Sequence, residues 1–388
     1  MKKIMKIMYI FILISFFKPD YFAGVGSKFN ILYSGLNILS MILIFCIYLR
    51  EIINNKKIPK IIIGIFTYCM ICIVSTFINS YSNLGNVVFQ MIKLFALCLI
   101  YDYGIRNDLK NILKSTNIIF SILVIINLIT MILYPHGMWI SPVTGYWENW
   151  FLGYDNNHIT IFLPTLIFMY IYDRVYKKRL TFKFFIILFL INLSIIISWS
   201  ATSVVAIFLV DIYILFEKIL SKIFVKSKKI IVGYLVLFIS IIILKVQNIF
   251  SFLIVDILKK DLTFSGRIYI WEYIKKFIVS KPLLGYGIQD SYTRYNMTAL
   301  WKSYHAHNFV LEILYRGGIL LLFNVIYIIR LVIKQINKSA NELKSFSIFI
   351  IFLYAIILLT EFFDPIHYFY ILIVFYNINY LYKERKTV

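Results

Sequence analysis

The sequence predicts an all-α polytopic membrane protein with about twelve transmembrane helices and one long extracytoplasmic loop. Two observations carry this prediction. Of the 388 residues, 61% are hydrophobic and only 15% are charged, and the mean hydropathy is +0.84. This leaves too little polar surface to coat a soluble globule. The apolar residues also occur in stretches of roughly the 17–25 residues that a helix needs to cross a bilayer.

Twelve apolar stretches define the predicted helices, because only a helix satisfies its own backbone in lipid. They are 3–17, 29–49, 60–79, 84–101, 116–134, 158–173, 184–199, 202–217, 230–246, 308–333, 345–361 and 365–382. The first resembles a signal peptide, but no small-residue cleavage site follows it, so we keep it as a helix. The chain then divides into helices one to nine over 1–248, an extracytoplasmic loop with an interfacial helix over 249–307, and helices ten to twelve over 308–388.

The net charge is +22, and the distribution of the basic residues along the chain agrees with the predicted topology. With a cytoplasmic N-terminus, the lysines and arginines of the short loops collect on one side, which is the positive-inside pattern. This pattern and contact with anionic membrane lipids account for nearly all of the excess, so no nucleic-acid partner is expected. The short cytoplasmic loops contain no glycine-rich phosphate-binding motif, and we expect neither a nucleotide nor another cofactor.

The outer loop of 249–304 contains eight basic residues and four acidic ones. The positive-inside rule concerns the cytoplasmic loops, so it does not explain a basic loop on the outer side. Thr263 or Ser265 is predicted to cap a helix from about Gly266 to Val279. Its apolar stripe places this helix along the membrane surface, with Trp271 and Tyr273 near the headgroups.

Several motifs in this part of the chain resemble, in order, the C-terminal signature of the O-antigen polymerase and ligase superfamily. They are Ser265-Gly266-Arg267 with Trp271, Pro282-Leu283-Leu284-Gly285-Tyr286-Gly287, His305-Ala306-His307-Asn308-Phe309 with Leu311, Glu312 and Leu314, and Gly317-Gly318. The segment 153–158 and the turn 200–203 add weaker support. The resemblance implies a GT-C-like membrane glycosyltransferase that moves a glycan from a polyprenyl-diphosphate carrier to an acceptor outside the cytoplasmic membrane.

Within this superfamily, the expected function is a polymerase that joins lipid-linked oligosaccharide repeat units of a capsule or O-antigen at the outer face of the bacterial cytoplasmic (inner) membrane. A ligase that passes finished glycan to lipid A-core or to protein has the same donor chemistry. A glycan flippase or transporter is the alternative from another class. The expected partners are the polyprenyl-diphosphate-linked oligosaccharide, membrane lipids, and a chain-length regulator and flippase of the same pathway.

The resemblance and the chemistry nominate two kinds of catalytic group. His307 or His305 would be the base that takes the proton of the attacking hydroxyl, with His307 favoured because Asn308 follows it. Arg267 would grip the diphosphate through its planar fork. Many members carry an arginine in the turn 200–203, where this chain has none, so Arg267 acts alone or a second cation (Lys245, Lys259 or Arg294) completes the site.

Other polar residues are predicted to border the substrate: Asn157, Asn308, Glu312, Arg316 and Lys93. Glu312 and Arg316 are four residues apart, so they either pair with each other or shape the site. Lys93 either neutralises Asp211 or lines the path of the lipid diphosphate. The His-x-His pair lacks a convincing third metal ligand, and we expect direct inverting transfer without a metal.

Overall fold

The protein, seen in a computed structural model, is helical almost throughout. The structure describes residues 2–24, 27–81, 83–140, 148–224, 232–233, 236, 238–239, 266–298, 305–339 and 341–387. The helices are α1 (Lys2–Phe16), α2 (Asp20–Gly24), α3 (Ser27–Asn55), α4 (Lys60–Ile78), α5 (Leu84–Asn107), α6 (Leu109–Leu133), α7 (Ile159–Tyr176), α8 (Phe182–Ser198), α9 (Ala201–Leu215), α10 (Glu217–Ile223), α11 (Arg267–Ser280), α12 (Ser291–Thr298), α13 (Phe309–Ile336), α14 (Asn341–Thr360), α15 (Phe369–Tyr376) and α16 (Ile378–Thr387).

Within these ranges, seven helical segments are long and apolar enough to cross a membrane: 28–54, 60–78, 84–107, 109–133, 155–176, 309–336 and 342–360. Three shorter apolar helices lie at 5–16, 182–198 and 201–215. Large side chains such as Phe189, Phe208 and Phe323 are exposed on the outer faces, as lipid contact requires. The protein is therefore a multi-pass membrane protein, and the predicted helix of 230–246 falls mostly outside the described residues.

One continuous apolar cluster joins most of the transmembrane helices. Within it, α13 packs against α4, α6 packs between α1 and α7, and α15 lies against α5 and α13. A second, smaller cluster contains Trp271, Ile274, Tyr286, Ala306, Leu311, Tyr315 and Leu359. This second cluster ties α11 to the first turns of α13 and to the end of α14, where the candidate site lies.

Helix α13 is broken at Gly318, whose φ of 62° and ψ of −160° are not helical. The break frees backbone groups that the turn 282–287 then satisfies. Tyr286 N–H donates to Tyr315 O at 2.7 Å, and Ile319 N–H donates to Pro282 O at 2.8 Å. A Cβ on Gly318 would lie 2.2 Å from Leu283 O, so only glycine fits here. The motif Pro282–Gly287 and the motif Gly317-Gly318 therefore pack against each other through their backbones.

The helix predicted from about Gly266 to Val279 is confirmed in its extent, and its position along the membrane surface stays a prediction. Helix α11 spans Arg267–Ser280 with Gly266 at its N-cap, and the predicted caps Thr263 and Ser265 lie outside the described residues. Trp271 is buried, and its indole Nε1 donates to Ala306 O at 2.9 Å. The ring of Trp271 fills the second apolar cluster, and its level relative to the lipid headgroups stays a prediction.

The prediction of one helix over 365–382 is wrong. The chain makes a short 3-10 turn at Pro365–His367, forms α15, ends it at Tyr376 and continues as α16. Asn377 separates the two helices, and its buried amide donates to Asp102 Oδ1 at 2.9 Å. A polar side chain that binds a buried carboxylate of α5 thus stands at the break between α15 and α16.

Candidate active site

A single buried carboxylate, Glu361, lies at the centre of the candidate site. It follows the last residue of α14 and is 4% exposed. Arg267 Nη2 donates to its Oε1 at 2.5 Å, and His307 Nδ1 lies 3.4 Å from its Oε2. Asn156 Nδ2 and Thr202 Oγ1 also donate to Oε1, each at 3.4 Å. Glu361 therefore joins four segments that are far apart in the sequence.

The four partners of Glu361 lie at or just before the starts of helices. Asn156 belongs to the 3-10 turn that leads into α7, Thr202 is in the first turn of α9, Arg267 begins α11, and His307 comes just before the N-cap of α13. The unpaired backbone N–H groups of a helix start carry partial positive charge, which favours an anion. The site therefore combines two basic side chains with several helix starts around one negative charge.

The chain around His307 is held from both sides. Ala306 N–H donates to Glu312 Oε2 at 2.7 Å, while Ala306 O accepts from Trp271. Asn308 is buried and caps α13: its Oδ1 accepts from Leu311 N–H at 2.9 Å, and its Nδ2 donates to Leu359 O at 2.8 Å. Asn308 thus fixes the start of α13. Because Ala306 and Asn308 are both held by hydrogen bonds, the backbone of His307 between them is restricted.

His307 adopts a left-handed backbone conformation with a φ of 48°. A non-glycine residue held there carries strain that the surrounding contacts must offset, which is common at functional sites. Its side chain is 26% exposed, and no described residue bonds its Nε2. With Nδ1 directed at Glu361, Nε2 is the ring nitrogen that has no hydrogen-bond partner among the described residues.

His305 lies beside His307, with 4.1 Å between the ring centroids, and its Nδ1 accepts from His307 N–H at 3.2 Å. Burial and the neighbouring His307 lower the pKa of the His305 imidazole to about 3. A group with so low a pKa is a weak proton acceptor at neutral pH. Of the two predicted bases, the geometry favours His307.

Burial alone would raise the pKa of the Glu361 carboxyl, but the His307 hydrogen bond and the Arg267 charge outweigh it and lower the pKa to about 2. Glu361 is therefore ionised at neutral pH. An ionised carboxylate beside Nδ1 holds the imidazole in one orientation and stabilises its protonated form.

Arg267 contacts the end of α14 at two points. Besides the Glu361 bond, Nη1 donates to Thr360 O at 2.5 Å. The side chain remains 17% exposed, and a guanidinium has five N–H groups. Two bonds therefore orient the fork and leave further donors for a bound anion.

Arg294, one of the predicted second cations, lies with Arg316 in a buried network around Glu312. Arg294 is 3% exposed and binds the fully buried Glu312 through two nitrogens, at 2.8 and 2.9 Å. Arg316 Nε donates to the same carboxylate at 2.6 Å, and its Nη1 lies 3.1 Å from Asp364. The predicted Glu312–Arg316 pair is present, but within a buried network that supports the His305–Asn308 segment. Lys245 and Lys259 lie outside the described residues.

Two other predicted site residues lie away from Glu361. Asn157 donates to Asp20 Oδ2 at 3.1 Å, so its neighbour Asn156 is the residue that reaches the site. Lys93 is half-buried within α5, and Lys18 and His367 are among its ionisable neighbours. The predicted pairing of Lys93 with Asp211 is not formed: Asp211 instead accepts from Asn192 Nδ2 at 3.3 Å, between the adjacent helices α8 and α9.

The sequence analysis missed Glu361, Asn156 and Thr202. A signal for Glu361 was present, since it is an acidic residue at the outer end of the predicted helix 345–361. Asn156 and Thr202 lie inside the two weaker motifs, and Ser200 Oγ donates to Asn156 Oδ1 at 2.6 Å. These two motifs therefore meet each other and the stronger motifs at one carboxylate.

The fold and the site define a multi-pass membrane protein with a histidine, an arginine and a carboxylate brought together where several helices begin. Residues 158–326 match the family described as O-antigen ligase. This match confirms the resemblance to the O-antigen polymerase and ligase superfamily, whose substrates are lipid-linked glycans. The matched segment includes Thr202, Arg267 and His307. Neither the curated proteins nor the solved structures contain a match to this chain.

Proposed function

We propose that this protein is a polysaccharide polymerase that joins polyprenyl-diphosphate-linked oligosaccharide repeat units at the outer face of the cytoplasmic membrane, in capsule or O-antigen biosynthesis. The observation that carries the proposal is the contact of Glu361 with both His307 and Arg267. This contact supports the proposal because His307, the proposed base, and Arg267, the proposed diphosphate ligand, both bind one carboxylate in a chain that resembles this superfamily.

In the proposed reaction, a hydroxyl of the new lipid-linked unit attacks the anomeric carbon of the growing chain. The bond from that carbon to the diphosphate oxygen breaks, and the lipid diphosphate leaves with the electron pair. The hydroxyl proton passes to Nε2 of His307, and Glu361 stabilises the resulting imidazolium. Because attack and departure occur on opposite faces, the configuration of the anomeric carbon inverts.

Arg267 would neutralise the charge that develops on the leaving diphosphate. Its planar fork suits phosphate oxygens, and the starts of α9 and α11 add partial positive charge nearby. This arrangement also bears on the turn 200–203, where many members of the superfamily that this chain resembles carry an arginine. Here Thr202 and the first backbone N–H groups of α9 approach the site instead.

The second candidate function is a ligase that transfers finished glycan to lipid A-core or to protein, because O-antigen ligase is the description of the matching family. Cells that lack the gene distinguish the candidates. Loss of a polymerase leaves single repeat units on the surface. Loss of a ligase causes long lipid-linked polymer to accumulate, and loss of a flippase keeps units inside. Restoration by the wild-type gene, but not by a membrane-inserted His307→Ala variant, links the phenotype to the proposed site.

The outward orientation of the site has its own experiment. Tags placed within 249–304 and within 135–157 should be accessible from outside intact cells, whereas a tag within 222–229 should be protected. Cytoplasmic labelling of the 249–304 segment would contradict the proposed orientation and, with it, the use of a donor at the outer face.

A further inference from the structure

A cavity of about 800 Å³ lies at the end of α13 opposite to His307. Its walls come from the start of α4, the end of α5, the last turns of α13 and the break between α15 and α16. The break at Asn377 thus forms part of the cavity wall, together with its neighbours Tyr376, Asn379 and Tyr380.

Four lysines line this cavity: Lys57, Lys60, Lys334 and Lys338. No acidic side chain is among its described lining residues, and none of these four ammonium groups has an ion-pair partner in the described part of the chain. The fifth basic residue of the lining, Arg106, is already bound to Asp102 and Glu51. The cavity thus concentrates unneutralised positive charge.

Concentrated like charges repel one another, and an anion placed among them removes this cost. The remaining lining combines hydrogen-bonding groups, such as Asn379 and Tyr380, with apolar ones, such as Ile58 and Leu331. A ligand that carries both a phosphate and an apolar portion matches both kinds of surface.

We propose that this cavity binds the phosphate headgroup of an anionic phospholipid of the membrane leaflet at this end of the protein. Basic pockets between transmembrane helices are suited to such headgroups. The bound headgroup would contact Lys60 at the start of α4 and Lys334 near the end of α13, two helices that pack against each other. Lipid binding would therefore stabilise this helix pair.

The positive-inside pattern alone does not require a cavity, and other lysines at the same end provide a matched control. Lys177, Lys178, Lys218 and Lys222 are exposed and do not line the cavity. They follow or belong to helices at this end, where Tyr176 of α7 donates to Glu384 of α16. Substituting either set removes the same charge from the same side.

The experiment measures binding of phosphatidylglycerol to the purified full-length protein by native mass spectrometry, with phosphatidylcholine as the neutral lipid. Substitution of the four cavity lysines with glutamine should weaken phosphatidylglycerol binding at least about tenfold. Substitution of the four control lysines should change it less than about twofold. Lipid should also raise the melting temperature of the wild type more than that of the cavity variant.

A second pair of variants covers the case in which the quadruple change disturbs insertion. Lys60→Gln with Lys334→Gln should show an intermediate loss, and substitution of all four lysines with arginine should retain binding. Equal loss in the cavity and control variants would overturn the proposal. Binding of soluble glycerol 1-phosphate as tight as that of phosphatidylglycerol would also overturn it, because the site would then recognise a free phosphate.

Discussion

Arg267 and Glu361 form an ion pair with 2.5 Å between Nη2 and Oε1, although 94 positions separate them in the sequence. The pair joins the start of α11 to the end of α14, and the same carboxylate accepts from His307. A change in any one of these residues therefore alters the environment of the other two. The predictions below use this coupling to separate chemical roles from structural ones.

The first prediction concerns the base. His307→Ala should lower polymer formation by roughly 10²–10⁴-fold, since that is the usual contribution of a positioned proton acceptor. Polymer length in complemented cells and the amount of membrane-inserted protein are the measurements. His136→Ala, at an exposed position outside the site, is the control and should be fully active. Normal polymer from His307→Ala with a dead His305→Ala would assign the base to His305 instead.

The second prediction concerns the arginine. Arg267→Lys should lose roughly 10²-fold in activity despite its retained charge, because an ammonium cannot form the two parallel contacts of a guanidinium. The exposed Arg330→Lys serves as the control for an arginine-to-lysine change in general. Near-normal polymer from Arg267→Lys would show that its fork does not hold the diphosphate.

The third prediction uses the lowered pKa of Glu361. Because this pKa is about 2 in the folded protein and roughly 4.3 in an unfolded chain, its ionisation stabilises the fold above pH 4.3 or so, and the contribution disappears as the pH falls through about 2. The contribution at neutral pH is about 3 kcal/mol.

The melting temperature in detergent tests this expectation. Glu361→Gln should be destabilised at pH 7, and its difference from the wild type should shrink steadily as the pH is lowered below 4.3 or so. Asp211→Asn, a carboxyl remote from the site, is the control. A difference between Glu361→Gln and the wild type that stays constant over this range would rule out the ionised state of Glu361 as the source of the effect.

The fourth prediction separates the buried arginine network from substrate binding. Arg294→Gln removes a guanidinium that binds the fully buried Glu312 at two points, and loss of one partner of a buried pair typically costs about 3–5 kcal/mol. The variant should therefore show low abundance and a low melting temperature, whereas Arg330→Gln should show neither. An abundant, stable Arg294→Gln protein with little activity would instead indicate a role in substrate binding.

The fifth prediction tests the close backbone contact between α4 and the turn 282–287. Gly287 has a φ of 75°, and a Cβ there would lie 2.6 Å from Thr76 Cα. Gly287→Ala should destabilise the protein by about 1–3 kcal/mol because both the conformation and the space disfavour a side chain. Gly35→Ala meets no atom within 4 Å and should be neutral or stabilising. Equal melting temperatures for the two variants would contradict the close approach.

The length and hydropathy of each apolar stretch were enough to predict many helix positions. The apolar stretch 60–79 became α4 within one residue, and the helix predicted from Gly266 became α11. These outcomes depend on the length and hydropathy of a stretch and on the spacing of its apolar residues, all of which are local properties of the sequence. Asn377 shows the limit: its amide binds Asp102 of α5, a partner that no local pattern identifies.

The candidate site shows the same limit. His307 and Arg267 could be nominated because they lie in motifs that resemble a family. Glu361 could not be ranked above other acidic residues, since its importance comes from contacts with segments up to 205 positions away. The sequence analysis names Asn157 as a site residue, but in the 3-10 turn of Asp155–Asn157 the Asn156 amide contacts Glu361 and the Asn157 amide contacts Asp20.

The position of Glu361 near the end of the chain has a consequence for biogenesis. Asn156, Thr202, Arg267 and His307 are all synthesised before the carboxylate that holds them together. A nascent chain inserting at the translocon therefore lacks the carboxylate of this centre until the residue that follows α14 has been synthesised. For the polymerase proposed above, this order means that the proposed base and the proposed diphosphate ligand are joined through one carboxylate only after α14 has been made.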